Sequence, residues 1–595
     1  MRFWPKILSF TALSLFLLLK TDGLKQNNRE ELFLSSKYIS QLSLDRELNP
    51  AYDSLILSFD IENNDQWYQW TRFIDHLGNQ FEEIEILDER AISRSTVPDG
   101  QNEFFEKNDF VRLVHGNTHL AVIKLPAGKS STREEVDLEI TKFELETGKS
   151  VGQAGMPALN LKLGKMSEII KKKVMPGLFL VSFVVLWLML GSLVATLSVF
   201  IPSLLSAGIS LFVIQMLFGY STMMTTLVPL LTFIVLMSLV LHLYMASSHL
   251  QSVQKAWALK SKPMLWALAT TLLGLGSLYA SDLEAIREFS LASVLSLIFG
   301  FFFALVFWFL PDKDETANKR RYVNFIEKIN FKLKKRTLII ICSLVTVMGL
   351  LSVPRLPIMV EALYFFPPTD SFVQGWKKIE TIMGGVPLVD LSVEVNGIDI
   401  PEIKKIEKIE QSLKELPAKI VSSNEIVKAV NKTYQGINEI PDHLVSYQTL
   451  LSRVAEGFRP KWSESNYLIS LIGKTNETEL YRQWLSQVDE IVSKTSGDVK
   501  LRMGGLYYWL MRSQSDMIVT LLESFLSSLI FVSLFVFAIF KSLKRTVLFF
   551  FVNMLPAAAT LCVFWGLGLS LNIASITTFS ISFGLIVDST LHLMS

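Results

Sequence analysis

Residues 584–593 read Gly584-Leu-Ile-Val-Asp588-Ser-Thr-Leu-His592-Leu, which sets one carboxyl group and one imidazole inside an otherwise apolar run. A second stretch carries the same pattern: Ser238-Leu-Val-Leu-His242-Leu aligns with Asp588-Ser-Thr-Leu-His592-Leu, with a hydroxyl where the acid stands. An ionisable side chain in a spanning helix costs about 2.5–3.5 kcal/mol near the bilayer centre, so it is by default a functional signal.

A helix needs about 20 apolar residues to cross the hydrocarbon core. Ten runs approach that length: Ile7–Leu19, Val174–Leu190, Val194–Leu217, Met223–Ala246, Met264–Ala280, Phe289–Leu310, Thr337–Val353, Met517–Phe540, Val547–Gly566 and Ile573–Met594. Mean hydropathy is +0.36 and charged residues make up 19%, below the roughly one quarter usual in soluble chains. The net charge of +1 points to neither nucleic acid nor an acidic substrate. Cys342 and Cys562 both sit in apolar runs, which excludes a disulfide framework or Cys-based metal site in the polar segments. Ile7–Leu19 lacks a following small-x-small cleavage site, so it reads as a first membrane helix rather than a signal peptide.

Basic residues cluster in three connectors: Lys255, Lys260 and Lys262; Lys313 to Arg336; and Lys541, Lys544 and Arg545. The positive-inside rule makes all three cytoplasmic, which leaves the two long polar segments outside. The expected domains are a first transmembrane helix (1–20), a first outer domain (21–173), helices two to six (174–310), a basic cytoplasmic linker (311–336), a seventh helix (337–354), a second outer domain (355–516) and helices eight to ten (517–595).

This order is an internal duplication. Gly191-Ser192-Leu193 follows the second span as Lys541-Ser542-Leu543 follows the eighth, and Pro202 and Pro556 hold similar places. The copies keep one orientation, as parallel repeats do. The second has four spans where the first has six, so two helices are expected beyond Ser595. In the polar segments, strands are expected at Asp53–Ile61, His119–Leu125, Leu388–Val395, Tyr467–Ile472 and Val499–Met503. Helices are expected at Asp65–Asn79, Ser131–Glu146, Ile403–Leu416 and Glu477–Lys494, which suggests split β-α-β, ferredoxin-like layers.

Three stretches carry a family resemblance. They are Phe540-Lys-Ser-Leu-Lys544 with Asn553-Met-Leu-Pro556 and Gly566-Leu-Gly-Leu-Ser-Leu-Asn-Ile573; Phe583-Gly-Leu-Ile-Val-Asp-Ser-Thr-Leu-His-Leu593; and Ser281-Asp-Leu-Glu-Ala-Ile-Arg-Glu-Phe289. In this order the chain resembles the resistance–nodulation–division (RND) superfamily, in its MMPL-like, predicted-exporter branch. The resemblance implies a polytopic α-helical protein of the bacterial inner membrane, with twelve helices in two repeats and two extracytoplasmic porter-type domains. It also implies export driven by proton motive force. The short outer segments look like those of the branch that moves lipids or hydrophobic molecules. Membrane lipids, protons and the hydrophobic substrate are the implied partners, with a homo-oligomer or periplasmic partner left open.

The proton relay is expected at Asp588, with His592 one turn on, and at Ser238 and His242 in the first repeat. Many relatives carry an acid at the place of Ser238, and a neutral hydroxyl there cannot hold a proton charge. Either the relay runs on Asp588 alone, or the chain is a non-transporting receptor, sensor or scaffold subunit. No phosphate-binding Gly-Lys-Ser/Thr loop, enzyme signature or metal-ligand spacing occurs, so no catalysis, cofactor or metal is expected. Trp67, Tyr68 and Trp70 are expected in an outer-domain core, and Tyr507, Tyr508 and Trp509 in an interfacial belt. Gly274 and Gly276 are expected to permit close helix packing. Asp282, Glu284, Arg287 and Glu288 are expected to be solvated.

Overall fold

The computed structural model describes residues 3–20, 24–27, 32, 34–48, 52–91, 113–126, 130–310, 335–356, 363, 366–454, 462–463, 465–474, 478–495, 500–571, 575 and 590. The helices are α1 Phe3–Lys20, α2 Ser36–Leu48, α3 Asn64–Gln80, α4 Ser130–Thr147, α5 Met156–Ile169, α6 Met175–Leu190, α7 Leu193–Leu217, α8 Val228–Leu250, α9 Val253–Ser277 and α10 Glu284–Phe309. They continue with α11 Lys335–Ser352, α12 Ser371–Met383, α13 Ile400–Leu413, α14 Ser423–Gln435, α15 Leu444–Ser452, α16 Thr478–Thr495, α17 Leu506–Phe540 and α18 Leu543–Leu567. The strands are β1 Tyr52–Asp60, β2 Glu85–Leu87, β3 Val114–His115, β4 Thr118–Pro126, β5 Gly152–Ala154, β6 Val386–Glu394, β7 Lys419–Val421, β8 Trp462–Ser463, β9 Asn466–Gly473 and β10 Leu501–Gly504. Two compact units result, one of residues 1–28, 163–358 and 514–595, the other of residues 29–162 and 359–513.

The first unit is helical. Among the described residues, six helices are long and apolar enough to cross a membrane: Met156–Leu190, Leu193–Leu217, Thr225–Leu250, Val253–Ala280, Glu284–Phe309 and Leu543–Leu567. Ile339–Ser352 and Leu529–Phe540 are shorter apolar helices. The run Ile573–Met594 lies outside the described residues apart from Ser575 and Thr590. Small residues set the closest approaches. A Cβ added at Gly208 would lie 3.1 Å from Leu17 Cβ, at Gly300 2.9 Å from Ser206 Cβ, and at Gly349 2.6 Å from Ala558 Cα. At Gly276 the nearest atom would be Val294 Cγ2 at 4.0 Å, so that glycine is not where helices meet closely, contrary to expectation.

The second unit holds two sheets of antiparallel strands, ordered β2-β4-β1-β5 and β10-β6-β9-β7. Each follows the strand order of a split β-α-β unit. The first core gathers Leu57, Phe59, Trp70, Ile74, Ile123, Ile140 and Phe143, with Phe59 and Trp70 stacked at 5.4 Å. Trp70 is thus core, whereas Tyr68 is 66% exposed: a helix face buries only some of three near-consecutive aromatics.

Helices α2 and α12 were not foreseen, and each joins the other half of the unit. On α2, Asp45 pairs with Arg502 of β10 at 2.9 Å, and Tyr38 stacks on Trp509 at 5.4 Å. On α12, Lys378 pairs with Asp60 at the end of β1, and Gly375 would place a Cβ 2.9 Å from Gly152 Cα in β5. Tyr508 and Trp509 are therefore 3% and 7% exposed; they pack on protein rather than forming a wet belt.

The halves also repeat backbone events. Gly155 (φ +103°) and Gly505 (φ +98°) turn the last strand of each sheet into the helix that follows. Gly191 (φ +64°) and Lys541 (φ +47°) both end a helix in the left-handed region, each before a Ser that begins the next helix. Lys541 is one of two non-glycine residues with positive φ among the described residues, so the geometry of this turn is kept where the glycine is not.

Candidate functional site

Helix α8 starts with Pro229 in its first turn, where a missing N–H costs nothing, and packs against α7, α9 and α10. It carries Ser238 and His242 one turn apart, both half-buried and both engaged in interactions. Asp588 and His592 lie outside the described residues, so the four expected relay residues are not seen together. Between those two positions Thr590 is described. It is 7% exposed, and its Oγ1 donates to Asn553 Oδ1 at 3.2 Å. Asn553 is 1% exposed, three residues before Pro556, and its Nδ2 donates to the Phe549 carbonyl at 2.7 Å. This hydrogen bond deep in apolar helices was not anticipated, although a lone Asn in the run Val547–Gly566 was its visible signal.

At the end of the bundle where α7 leads to α8, Ser221, Thr222, Thr225 and Thr226 are all nearly inaccessible and hydrogen-bond among themselves. One turn into α8, Thr232 Oγ1 meets Ser210 Oγ of α7 at 2.6 Å. Glu288 is 6% exposed, which corrects the expectation of a solvated charge; Asp282, Glu284 and Arg287 are exposed. The helix α10 starts at Glu284, so residue 288 already faces the bundle a turn later.

In the second unit, carboxyl groups converge where β10 ends. Asp45 accepts from Trp509 Nε1 at 2.5 Å and from the Gly505 amide at 3.3 Å, beside Arg502. Burial lifts the Asp45 carboxyl above its usual value, against these three partners. Asp390 accepts from Ser470 Oγ at 2.6 Å; burial, with the charge of Asp45 adding to it, pushes its pKa to about 6. Further off, Glu410 is fully buried and accepts from Asn424 Nδ2 at 3.0 Å and Tyr467 Oη at 3.2 Å. Burial raises it to about 7. Glu89 and His119 form a buried pair at 2.6 Å, with Trp67 Nε1 donating to Glu89 at 3.0 Å. Burial opposes ionisation of Glu89, but His119, Trp67 and Arg90 outweigh it and hold the carboxyl below its usual value. No group of three or more metal-ligating side chains occurs among the described residues.

No family model matches the sequence, and no curated protein matches it. Among solved structures the chain is similar to one described as the X-ray crystal structure of a heavy metal efflux pump. The TM-score is 0.52 and the identity 11%, over 98% of this chain and 90% of that one. At such identity the likeness shows the fold alone.

Proposed function

We propose that this chain is a proton-motive-force-driven exporter of lipidic or hydrophobic molecules, of the MMPL-like RND branch, working in the bacterial inner membrane. The observation that carries the reading is the duplication: helices and split β-α-β sheets repeat with matched backbone turns, within a fold like that of an efflux pump. The basic connectors support an extracytoplasmic place for the two porter-like domains. Proton uptake at Asp588, assisted by His592 and by Ser238 and His242 of the other repeat, shifts one bundle against the other. Moving one charge through the membrane potential is worth about 2.3 kcal/mol per 100 mV, enough to bias such a rearrangement. The chain does no covalent catalysis and takes no cofactor in this reading. Its partners are membrane lipids, the substrate and protons.

Asp588→Asn keeps shape and removes the titratable group. Reconstituted in proteoliposomes, it loses transport that depends on a pH gradient while remaining folded by circular dichroism. Full activity in that variant refutes the relay. Ser238 favours a second reading, a non-transporting receptor or scaffold. That reading requires ligand binding with no proton flux in the unaltered protein.

A further inference from the structure

Helix α10 carries three polar atoms that are buried and have no hydrogen-bond partner among the described residues: Glu288 Oε2, Ser293 Oγ and Ser296 Oγ. Glu288 is 6% exposed, and both serines are fully buried. An unmade hydrogen bond in such a place costs the full desolvation of the group, so three on one helix call for partners. Polar sites of this kind are usually satisfied by ordered water.

The direction of the serines follows from Gly300. Its face meets Ser206 of α7 and Leu236 of α8, as the distances from an added Cβ show. At about 100° per residue, Ser293 and Ser296 lie within about 40° of Gly300 around the helix. They therefore look into the α7–α8 seam, one to two turns nearer the Glu288 end. The Ser210–Thr232 hydroxyl pair sits in that seam, one turn from Ser206 on α7 and one turn from Leu236 on α8. Nearer the start of α10, and about 80° round the helix from Ser296, Tyr220 Oη donates to Glu288 Oε1 at 2.5 Å, which leaves Oε2 for another partner.

We propose that Glu288 is a proton-binding site of the membrane unit, and that waters held by Ser293, Ser296 and the Ser210–Thr232 pair connect it to the bundle interior. The proton comes from hydronium, which becomes water, and lodges on Oε2, the oxygen Tyr220 leaves open. Few groups compete. Helix α7 has no charged residue, the lysines of α9 and the histidines of α8 lie toward the opposite ends of those helices, and Lys25, Asp282, Glu284 and Arg287 are exposed. Tyr220 is the ionisable group in hydrogen-bond contact, and Glu284, one turn back on α10, is the like charge that acts on Glu288. This site is separate from the relay at Asp588 and does not rest on transport.

The test is infrared difference spectroscopy of the full chain in lipid nanodiscs, stepped in pH in water and in D2O, with no substrate and no gradient. The unaltered protein shows a protonated-carboxyl band that shifts in D2O; Glu288→Gln removes one carboxyl equivalent of it, and the bands of Glu410 and Asp390 remain. An unchanged carboxyl band in Glu288→Gln overturns the proposal. Should that variant not fold, Tyr220→Phe moves the band by deleting its hydrogen bond, and an unmoved band is equally fatal. The double change Ser293→Ala with Ser296→Ala removes weakly bonded water bands; their persistence overturns the water column. A wild type that transports nothing would defeat the exporter reading and leave these spectra to stand on their own.

Discussion

Replacing Glu410 by Gln isolates one large pH-dependent contribution in the second unit. The side chain is fully buried, and its pKa rises from an ordinary 4.5 to about 7. Between those values the folded state holds a proton that the unfolded chain has lost. The sign follows: the contribution is fully present below about pH 4.5, declines as pH rises toward 7, and is gone above it. A shift of about 2.5 units at about 1.4 kcal/mol each gives about 3 kcal/mol. Gln is neutral at every pH and close in shape. Its oxygen can accept from Asn424 Nδ2, and its amide can donate to Tyr467 Oη, which already accepts from the Asn424 backbone N–H at 2.9 Å. The assay is hydrogen exchange at the amides of β9 and α14 in the full-length protein in micelles, corrected for intrinsic rates. Protection in the unaltered chain falls by about two decades more between pH 4.5 and 8 than in Glu410→Gln, a difference equivalent to about 3 kcal/mol, since only the smaller Asp390 decline remains in the variant. The same decline in both proteins would mean that the titrating group is not Glu410.

Asp390→Asn should remove a smaller, more acidic transition, since this carboxyl is pushed to about 6 and not to 7; exchange at β6 and β10 should lose its pH dependence between about 4 and 6. An Asn amide there also offers a donor to Asp45, so a loss of protection at neutral pH would contradict the placement. Gly155→Ala puts a Cβ against the Ser54 carbonyl at φ +103°, and should cost about 2 kcal/mol or more as a lowered unfolding temperature; an unchanged temperature would mean the turn is not as described.

Much of the architecture was legible because its signals are periodic and local. Expected strands at Asp53–Ile61 and His119–Leu125 meet β1 and β4, and nine of the ten apolar runs fall on described helices. What escaped was set by tertiary contacts. Helices α2 and α12 bury themselves on the opposite half of the second unit, and nothing local in Ser36–Leu48 announces that destination. Tyr508 and Trp509 have the composition of a membrane belt, yet both are buried, and Tyr38 of α2 stacks on Trp509. Glu288 stands in a charged stretch whose other members are wet, and only the phase of α10 turns it inward. Of the relay, Ser238 and His242 are seen on α8, and the second repeat is seen through Thr590 and Asn553. Asp390 and Glu410 were missed because a single acid in an amphipathic element normally faces water.

Export of this kind requires that protons and substrate move together. Proteoliposomes loaded with a pH-sensitive dye and carrying a lipophilic fluorescent substrate report both movements at once. The account predicts that an imposed pH gradient drives substrate movement, that substrate accelerates the collapse of the gradient, and that Asp588→Asn abolishes both. Substrate movement that is indifferent to the gradient, or unaffected by loss of the Asp588 carboxyl, would contradict it.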